Sequence, residues 1–208
     1  MDRKTHWKEI YEKKDSTKVS WFQKHAETSL RMITANENNK DAQIIDVGAG
    51  ASTLLDDLLK AGYINIDVLD LSSKALQISQ QRVKPIQADA DVNWLQANIL
   101  EADLPNHHYD IWHDRAVFHF LTKQQDRDQY VKQLMYALKP GGKVIISTFG
   151  PDGPLMCSGL PIVRYNHDSL HNEFGSAFEL LEHGEEEHQT PGGSIQKFVY
   201  CYCKLHNN

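Results

Sequence analysis

The residues best suited to hold a nucleotide-like ligand lie in the glycine-rich segment 43–53. Asp46 ends a short apolar run, Gly48 and Gly50 follow in a D-x-G-x-G pattern, and Ser52 precedes an apolar helical pattern. This order is typical of a strand, a tight turn and a helix N-terminus, where backbone N–H groups bind ligand oxygens. We therefore predict that Asp46, Gly48, Gly50 and Ser52 contact a cofactor.

Two classes of cofactor compete for this turn. A dinucleotide fingerprint reads G-x-G-x-x-G and brings a pyrophosphate to the helix, but Thr53 stands in place of the third glycine. S-adenosylmethionine has no pyrophosphate, and its ammonium and sulfonium suit an acid such as Asp46. A plain strand-to-helix turn with no ligand is the structural alternative.

The apolar segment 63–72 predicts a second buried strand that ends in an acid. Asp70 lies twenty residues after Gly50, the spacing at which an acid accepts hydrogen bonds from both ribose hydroxyls of an adenosine. Its neighbour Leu71 is included in the predicted cofactor site. A solvated acid at a strand end is the alternative for Asp70.

A third strand is predicted at 92–97, with Asn98 directly after it. The amide oxygen of Asn98 suits the adenine amino group, and Ile99 offers an apolar surface for the ring. We predict that both residues bind the adenine.

Five motifs, in their order and spacing, resemble those of class I S-adenosylmethionine-dependent methyltransferases. The resemblance covers about residues 43–149 and implies S-adenosyl-L-methionine as the cofactor. It also implies an α/β fold with a Rossmann-like, doubly wound sheet of seven strands, mostly parallel with an antiparallel C-terminal strand. The motifs occupy residues 45–50, 68–72, 96–99, 109–114 and 138–146.

A shorter N-terminal similarity points to one lineage within this family. The His-Trp-x-x-x-Tyr pattern at residues 6–11 and the Ser-Trp-Phe at 20–22 are similar to a lineage that includes lysine methyltransferases acting on citrate synthase and elongation factor. The similarity leaves the acceptor open between a small molecule and a protein side chain.

The elements that position these residues form one expected domain over 1–208. Alternating strands and helices from 44 to 149 predict a parallel sheet. Pro140-Gly141-Gly142 is expected to end one helix and begin a strand at 143–149. The expected parts are a helical cap over the cofactor at 1–40, a cofactor-binding core at 43–149, and a substrate loop with a C-terminal hairpin at 150–208.

Within the last part, segment 150–161 is too rich in glycine and proline for regular structure. A short helix is expected near 168–174. Segments 178–189 and 194–205 predict two strands joined by the tight turn Thr190-Pro-Gly-Gly193, and therefore an antiparallel pair.

Methyl transfer from a sulfonium is an in-line displacement that needs alignment and exclusion of water more than a base. A base is required only if the nucleophile arrives protonated. After the fourth strand, Asp114 is predicted to face the cofactor ammonium, Arg115 to hold an anionic substrate, and His119 to act as a general base. The alternatives are a structural carboxylate partner for Arg115 and a packing role for His119.

Aromatic residues near the N-terminus have two interpretations. Trp7, Tyr11 and Trp21 are suited either to a core that joins the cap to the sheet or to contact with a cationic cofactor. We predict that Tyr11 and Trp21 touch the cofactor.

Composition narrows the remaining possibilities. A net charge of −6 and the lack of a basic patch disfavour nucleic acid as a partner, and no apolar run of ~18 residues predicts a membrane span. The three cysteines and the polar N-terminus predict a cytoplasmic protein. We expect no bound metal ion.

The three cysteines raise one alternative function. Cys157, Cys201 and Cys203 are compatible with a thiol or metalloid methyltransferase, although small apolar packing roles explain them more simply. A non-catalytic protein that binds the cofactor and acts as an interaction partner is the second alternative. An NAD-dependent dehydrogenase is the third.

Overall fold

The computed structural model describes residues 2–86 and 90–207. Its helices are α1 (Arg3–Lys13), α2 (Glu27–Asn36), α3 (Leu54–Lys60), α4 (Ser73–Val83), α5 (Gln124–Ala137) and α6 (His167–Asn172). Its strands are β1 (Gln43–Val47), β2 (Asn65–Asp70), β3 (Asp91–Gln96), β4 (Tyr109–Arg115), β5 (Leu138–Phe149), β6 (Met156–Cys157), β7 (Leu160–Pro161), β8 (Phe178–Gln189) and β9 (Ile195–Leu205). A 3₁₀ turn follows β4 at Phe118–Phe120.

Seven of the strands form one sheet in the order β3-β2-β1-β4-β5-β9-β8. The first five strands pair in parallel, whereas β9 runs antiparallel to both of its neighbours. This confirms the predicted seven-stranded, Rossmann-like sheet. Because the strand order reverses at β1, the carboxyl ends of β1 and β4 flank a crevice in which such sheets bind ligands.

Helices cover both faces of the sheet because its central strands are apolar on both sides. Alternation along β9 directs Val199, Cys201 and Cys203 to the face covered by α5 and α6. Tyr200 and Tyr202 point to the opposite face, which α2, α3 and α4 cover. None of the described helices has the length and apolar character needed to cross a membrane.

Three segments differ from the expectations drawn from sequence. Strand β5 begins at Leu138, so Pro140 to Gly142 lie inside the strand rather than before it, with Gly141 at a φ of +75°. Segment 150–161 contains a small antiparallel pair, β6 and β7, turned by Ser158 and Gly159. Helix α2 packs on the sheet face, so the cap over the crevice consists of α1 and the segment after it.

Candidate active site

A cavity of about 480 Å³ lies at the carboxyl ends of the parallel strands. Residues that follow β1, β2, β3 and β4 line its floor, and α1 lines its opposite wall. Arg3 donates a 2.8 Å hydrogen bond to the carbonyl of Phe120, which ties the start of α1 to the turn after β4. The volume falls within the ~300–1,000 Å³ typical of small-ligand sites.

Asp70, the last residue of β2, lines this cavity with its hydrogen bonds already fixed by the backbone. Its carboxylate accepts from the N–H of Gly50 at 2.8 Å and from the N–H of Ser72 at 2.7 Å. Burial raises the pKa of Asp70 to about 6, against the lowering effect of these two bonds. Each oxygen keeps a lone pair for a ligand hydroxyl.

The turn after β1 requires glycine at two positions. Gly48 and Gly50 have φ values of +65° and +55°, in the left-handed region that disfavours side chains. A Cβ atom on Gly48 would overlap Val117, and one on Gly50 would overlap the hydroxyl of Tyr11. Tyr11 therefore packs against the turn from the α1 side, and Val117 packs against it from the β4 side.

The wall opposite the sheet is aromatic. Trp7 and Tyr11 lie one helical turn apart on α1, and the ring of Trp21 packs edge-on to both, with centroids 5.8 and 6.4 Å away. Trp7 also contacts Phe120 at 5.3 Å. All four rings line the cavity.

Asp46 lies beside a second, smaller cavity of about 50 Å³, which Ser52 also lines. One carboxylate oxygen of Asp46 is 2.7 Å from Nδ1 of His113, whose Nε2 is 2.8 Å from the hydroxyl of Ser29. The other oxygen, Oδ2, is buried and has no hydrogen-bond partner among the described residues. Because Trp21, Gly48 and Arg115 line both cavities, the two spaces are adjacent.

Arg115, at the end of β4, dominates the far end of the large cavity. Its side chain is 10% exposed, and its guanidinium lies 4.4 Å above the ring of Phe198. Nη1 donates a long 3.4 Å bond to the carbonyl of Trp21, and Nη2 is 3.8 Å from Glu186. Neither Nε nor Nη2 has a hydrogen-bond partner in the described part of the chain.

Asp114 is fully buried and does not line either cavity. Its carboxylate accepts from the N–H groups of Val117 and Phe118 at 2.9 and 3.1 Å, and from the hydroxyl of Tyr130 at 2.7 Å. Burial raises the pKa of Asp114 to about 6. The structure therefore does not bring this side chain to a cofactor ammonium; it holds the turn that carries Val117 against Gly48.

His119 is likewise fully buried and lies outside the cavity lining. Its ring stacks on Phe149 with centroids 5.0 Å apart, and Nδ1 accepts a 3.4 Å bond from the N–H of the same residue. Burial, and to a lesser degree the charge of Arg115, lowers the pKa of His119 to about 3. The ring is therefore neutral and turned away from the position expected of a general base.

The structure brings most of the residues predicted from sequence to one cavity and leaves others outside it. Gly50 acts through its N–H bond to Asp70, and Asn98 also accepts a 3.2 Å bond from the N–H of Leu100. The predicted residues that line the large cavity are Tyr11, Trp21, Gly48, Asp70, Leu71, Asn98, Ile99 and Arg115.

Several lining residues were not predicted from sequence. Trp7 could have been assigned with Tyr11, because the two lie four residues apart on one helical face. Phe149 and Phe198 come from β5 and β9, and nothing in the local sequence of either strand distinguishes them from core residues.

The three cysteines do not converge. Cys157 lines the cavity and packs in the cluster of Phe149 and Phe198, whereas Cys201 and Cys203 project from the opposite face of β9. All three are free thiols. In residues 2–86 and 90–207, no group of three His, Cys, Asp or Glu side chains has the arrangement of a metal site.

Comparison with known proteins agrees with this geometry. Residues 45–144 match the family described as "Methyltransferase domain". The chain is 27% identical over 197 residues to human EEF1A lysine methyltransferase 2, covering 88% of this chain and 76% of that protein. It is 32% identical over 126 residues to a malonyl-[acyl-carrier protein] O-methyltransferase of Halalkalibacterium halodurans, covering 56% of this chain and 44% of that protein.

Solved structures share the fold over nearly the whole chain. A SAM-dependent methyltransferase from Anabaena variabilis has a TM-score of 0.74 at 17% identity, covering 99% of this chain and 96% of that one. The N-methyltransferase NodS from Bradyrhizobium japonicum, solved with S-adenosyl-L-homocysteine, has a TM-score of 0.72 at 13% identity, covering 96% of this chain and 98% of that one.

Proposed function

Because this chain belongs to the class I S-adenosylmethionine-dependent methyltransferases, we propose that it binds S-adenosyl-L-methionine in the large cavity. The observation that carries the proposal is the meeting of Asp70, Asn98 and the Gly48 turn in that one space at the carboxyl edge of the sheet. The methyl group then passes to an acceptor held at the Arg115 end.

The residues present fit the chemistry of this cofactor. The carboxylate of Asp70 binds the ribose hydroxyls, and Asn98, Ile99 and Leu71 bind the adenine. Oδ2 of Asp46, which has no hydrogen-bond partner in the described part of the chain, lies beside Gly48 and Ser52 and provides an acceptor for the ammonium. The rings of Tyr11 and Trp21 stabilise a sulfonium through their faces.

The cofactor supplies a methyl group on a sulfonium, which is already a strong leaving group. The protein then has to orient the acceptor and exclude water, which α1 and the aromatic wall accomplish. The pKa of His119 is lowered to about 3 by burial, so its ring is too weak a base to take a proton, and it lies too far inside the protein to reach the acceptor. We infer that the acceptor reaches the cavity as a nucleophile that needs no deprotonation by a histidine.

The acceptor is proposed to be either a small molecule or a protein side chain. The similarity to EEF1A lysine methyltransferase 2 over 88% of the chain favours a lysine, whereas the cationic guanidinium of Arg115 in the cavity disfavours an ammonium acceptor. The thiol and metalloid alternative has no geometric support, because Cys201 and Cys203 face away from Cys157. The presence of both Asp70 and the Gly48 turn in the cavity also argues against a non-catalytic interaction protein.

We further propose a cytoplasmic location and no nucleic acid partner. Three free, buried thiols are typical of a reducing compartment. The net charge of −6 supports the absence of a polyanionic partner.

Calorimetric titration with S-adenosyl-L-homocysteine tests cofactor binding. The wild-type protein is expected to bind, and Asp70→Ala to weaken binding by at least about tenfold, because a hydrogen bond to a charged group contributes roughly 1.5–3 kcal/mol. Asp103→Ala, an exposed acid outside the cavity lining, is the matched control and should bind like wild type. No binding by the wild type, or equal binding by Asp70→Ala, would contradict the proposal.

A second measurement identifies the acceptor class. The protein is incubated with methyl-labelled S-adenosylmethionine and a cell extract, and label is followed into protein and into small molecules. Label in protein supports a side-chain acceptor, and label in small molecules supports the alternative. No transfer by a protein that binds S-adenosylhomocysteine would favour the non-catalytic interaction protein.

A further inference from the structure

The guanidinium of Arg115 carries more hydrogen-bonding capacity than the protein uses. Nε and Nη2 have no partner in residues 2–86 and 90–207, although the side chain is only 10% exposed. The carboxylate of Glu186 lies 3.8 Å from Nη2, beyond hydrogen-bond length, and instead accepts from Gln23 at 2.5 Å. Both atoms are themselves buried, and buried polar groups are normally paired, so these two N–H groups are the expected contacts of a ligand toward which the guanidinium turns.

The position of Arg115 assigns these N–H groups to the acceptor rather than to the adenosine. The adenosine-binding residues lie at β2 and β3, on one side of β1. The Arg115 guanidinium extends in the opposite direction from β4, across β5, and stacks on Phe198 of β9. A group bound there lies at the far end of the cavity from Asp70.

The walls around this guanidinium are flat and apolar. Trp7, Phe120, Phe149 and Phe198 line the same end of the cavity and pack against one another, with Phe149 and Phe198 centroids 4.5 Å apart. Because the space of about 480 Å³ has to hold the methyl donor as well, the part of the acceptor that enters it is small. Such walls favour an aromatic or otherwise flat apolar body.

We propose that the methyl acceptor is a small molecule with a flat apolar body and a carboxylate, which Arg115 binds through Nε and Nη2. These two atoms lie on one edge of the guanidinium, the edge that matches both oxygens of a carboxylate. The inference rests on the proposed methyltransferase function and names its substrate class. It makes Arg115 a specificity-determining residue for that reaction.

Two other partners for Arg115 give different experimental results. The cofactor has a carboxylate of its own, and Arg115 also lines the small cavity beside Asp46. If Arg115 held that carboxylate, its loss would weaken S-adenosylhomocysteine itself. If the guanidinium only balanced the charge of Glu186, the affinities for S-adenosylhomocysteine and for the acid would both be independent of Arg115.

The test compares acids with uncharged analogues of the same shape. Benzoate with benzamide, and indole-3-acetate with indole-3-acetamide, are titrated into the protein saturated with S-adenosylhomocysteine. Each acid is expected to bind at least about tenfold more tightly than its amide, as for hydrogen bonds to a charged group. This comparison within the wild-type protein needs no folded variant.

Variants then identify the residue that makes the protein prefer the acid to the amide. Arg115→Met should abolish the preference for the acid while changing S-adenosylhomocysteine affinity by less than about threefold, and Arg115→Lys should retain part of the preference. Arg31→Met, which removes an exposed arginine paired with Glu182 outside the cavity, is the matched control and should behave like wild type. Circular dichroism verifies that each variant is folded.

Three outcomes overturn the inference. One is that no acid of the panel binds the wild type more tightly than its amide. Another is that Arg115→Met loses S-adenosylhomocysteine binding, which assigns the residue to the cofactor. A preference for acids that survives in Arg115→Met also overturns it. Failure of the proposed function is distinguishable, because wild-type protein would then not bind S-adenosylhomocysteine at all.

Discussion

The two ends of the cavity differ in how their polar groups are satisfied. At the β2 end, Asp70 is held by the N–H groups of Gly50 and Ser72, so its carboxylate is fixed before any ligand arrives. At the β4 end, the guanidinium of Arg115 rests on Phe198, and two of its donor atoms have no hydrogen-bond partner among the described residues. A rigid, satisfied site suits one constant ligand, whereas unpaired donors mark the group that an acceptor has to supply.

The origin of the residues differs in the same way. The residues of the β2 end follow the consecutive strands β1, β2 and β3, and a local sequence motif predicts each of them. The β4 end joins α1, β4, β5 and β9, which are far apart in sequence. We therefore expect substitutions at the β2 end to affect the methyl donor and substitutions at the β4 end to affect the acceptor.

The largest expected effect is that of Gly50→Ala on donor binding. A Cβ atom there would displace the hydroxyl of Tyr11, and overpacking of this kind costs about 1–3 kcal/mol. We expect S-adenosylhomocysteine affinity to fall up to about a hundredfold in calorimetric titration.

Gly193→Ala is the matched control for backbone strain. Gly193 has a φ of +84°, so alanine carries a similar left-handed penalty of about 1–2 kcal/mol, but no atom of residues 2–86 or 90–207 other than its chain neighbours would lie within 4 Å of its Cβ. Thermal unfolding should show a loss of stability in both variants, and only Gly50→Ala should lose affinity. Equal affinity in the two variants would contradict the rigid role assigned to the turn.

A pH titration sharpens the same distinction. Asp70 has a pKa of about 6, so its carboxylate is ionised at pH 7 and about nine-tenths protonated at pH 5. Because the ionised form accepts the ribose hydroxyls, affinity for S-adenosylhomocysteine should fall about tenfold between pH 7 and pH 5. Asp70→Asn does not titrate and should give a weak but flat profile.

Asp114 provides the control, because its pKa is also about 6 although it lies outside the cavity. Asp114→Asn should keep the pH dependence of binding. The stability of the unliganded protein should depend on pH in the opposite direction from the affinity. A raised pKa means that the folded state holds its proton more tightly than the unfolded state, so the contribution of both acids to stability falls as pH rises from about 4 to about 6. A pH-dependent affinity in Asp70→Asn would refute the assignment to Asp70.

The fold and the β2 end of the site could be predicted from sequence because local rules determine them. Apolar runs that end in Asp46 and Asp70, and the glycines between them, identify strand ends by residue type alone. The shared edge of a parallel sheet then brings those ends together without knowledge of side-chain packing.

Local rules could not predict which way a side chain turns. Asp114 and Arg115 are neighbours at the end of β4, yet one caps a buried turn and the other enters the cavity. The outcome depends on Tyr130 of α5 and Phe198 of β9, which satisfy one side chain and support the other. Such partners are distant in sequence, so they have no signature in the motif itself.

His119→Asn is the smallest expected effect, and it tests whether the β4 end contains a base. An asparagine oxygen can replace Nδ1 as the acceptor for the N–H of Phe149, so the main loss is the stacked ring, at about 1 kcal/mol of stability. Between pH 6 and 9, His119→Asn and the wild type should differ by less than about threefold in the rate of label transfer from S-adenosylmethionine to the extract acceptor.

The shape of that pH profile is more diagnostic than the rate. A histidine with a pKa of about 3 stays neutral throughout this range, so wild type and His119→Asn should have parallel profiles. Loss of a limb near neutral pH in the variant would mean that His119 takes a proton during the reaction. The acceptor would then arrive protonated, and its nucleophile would be a group other than the carboxylate bound by Arg115.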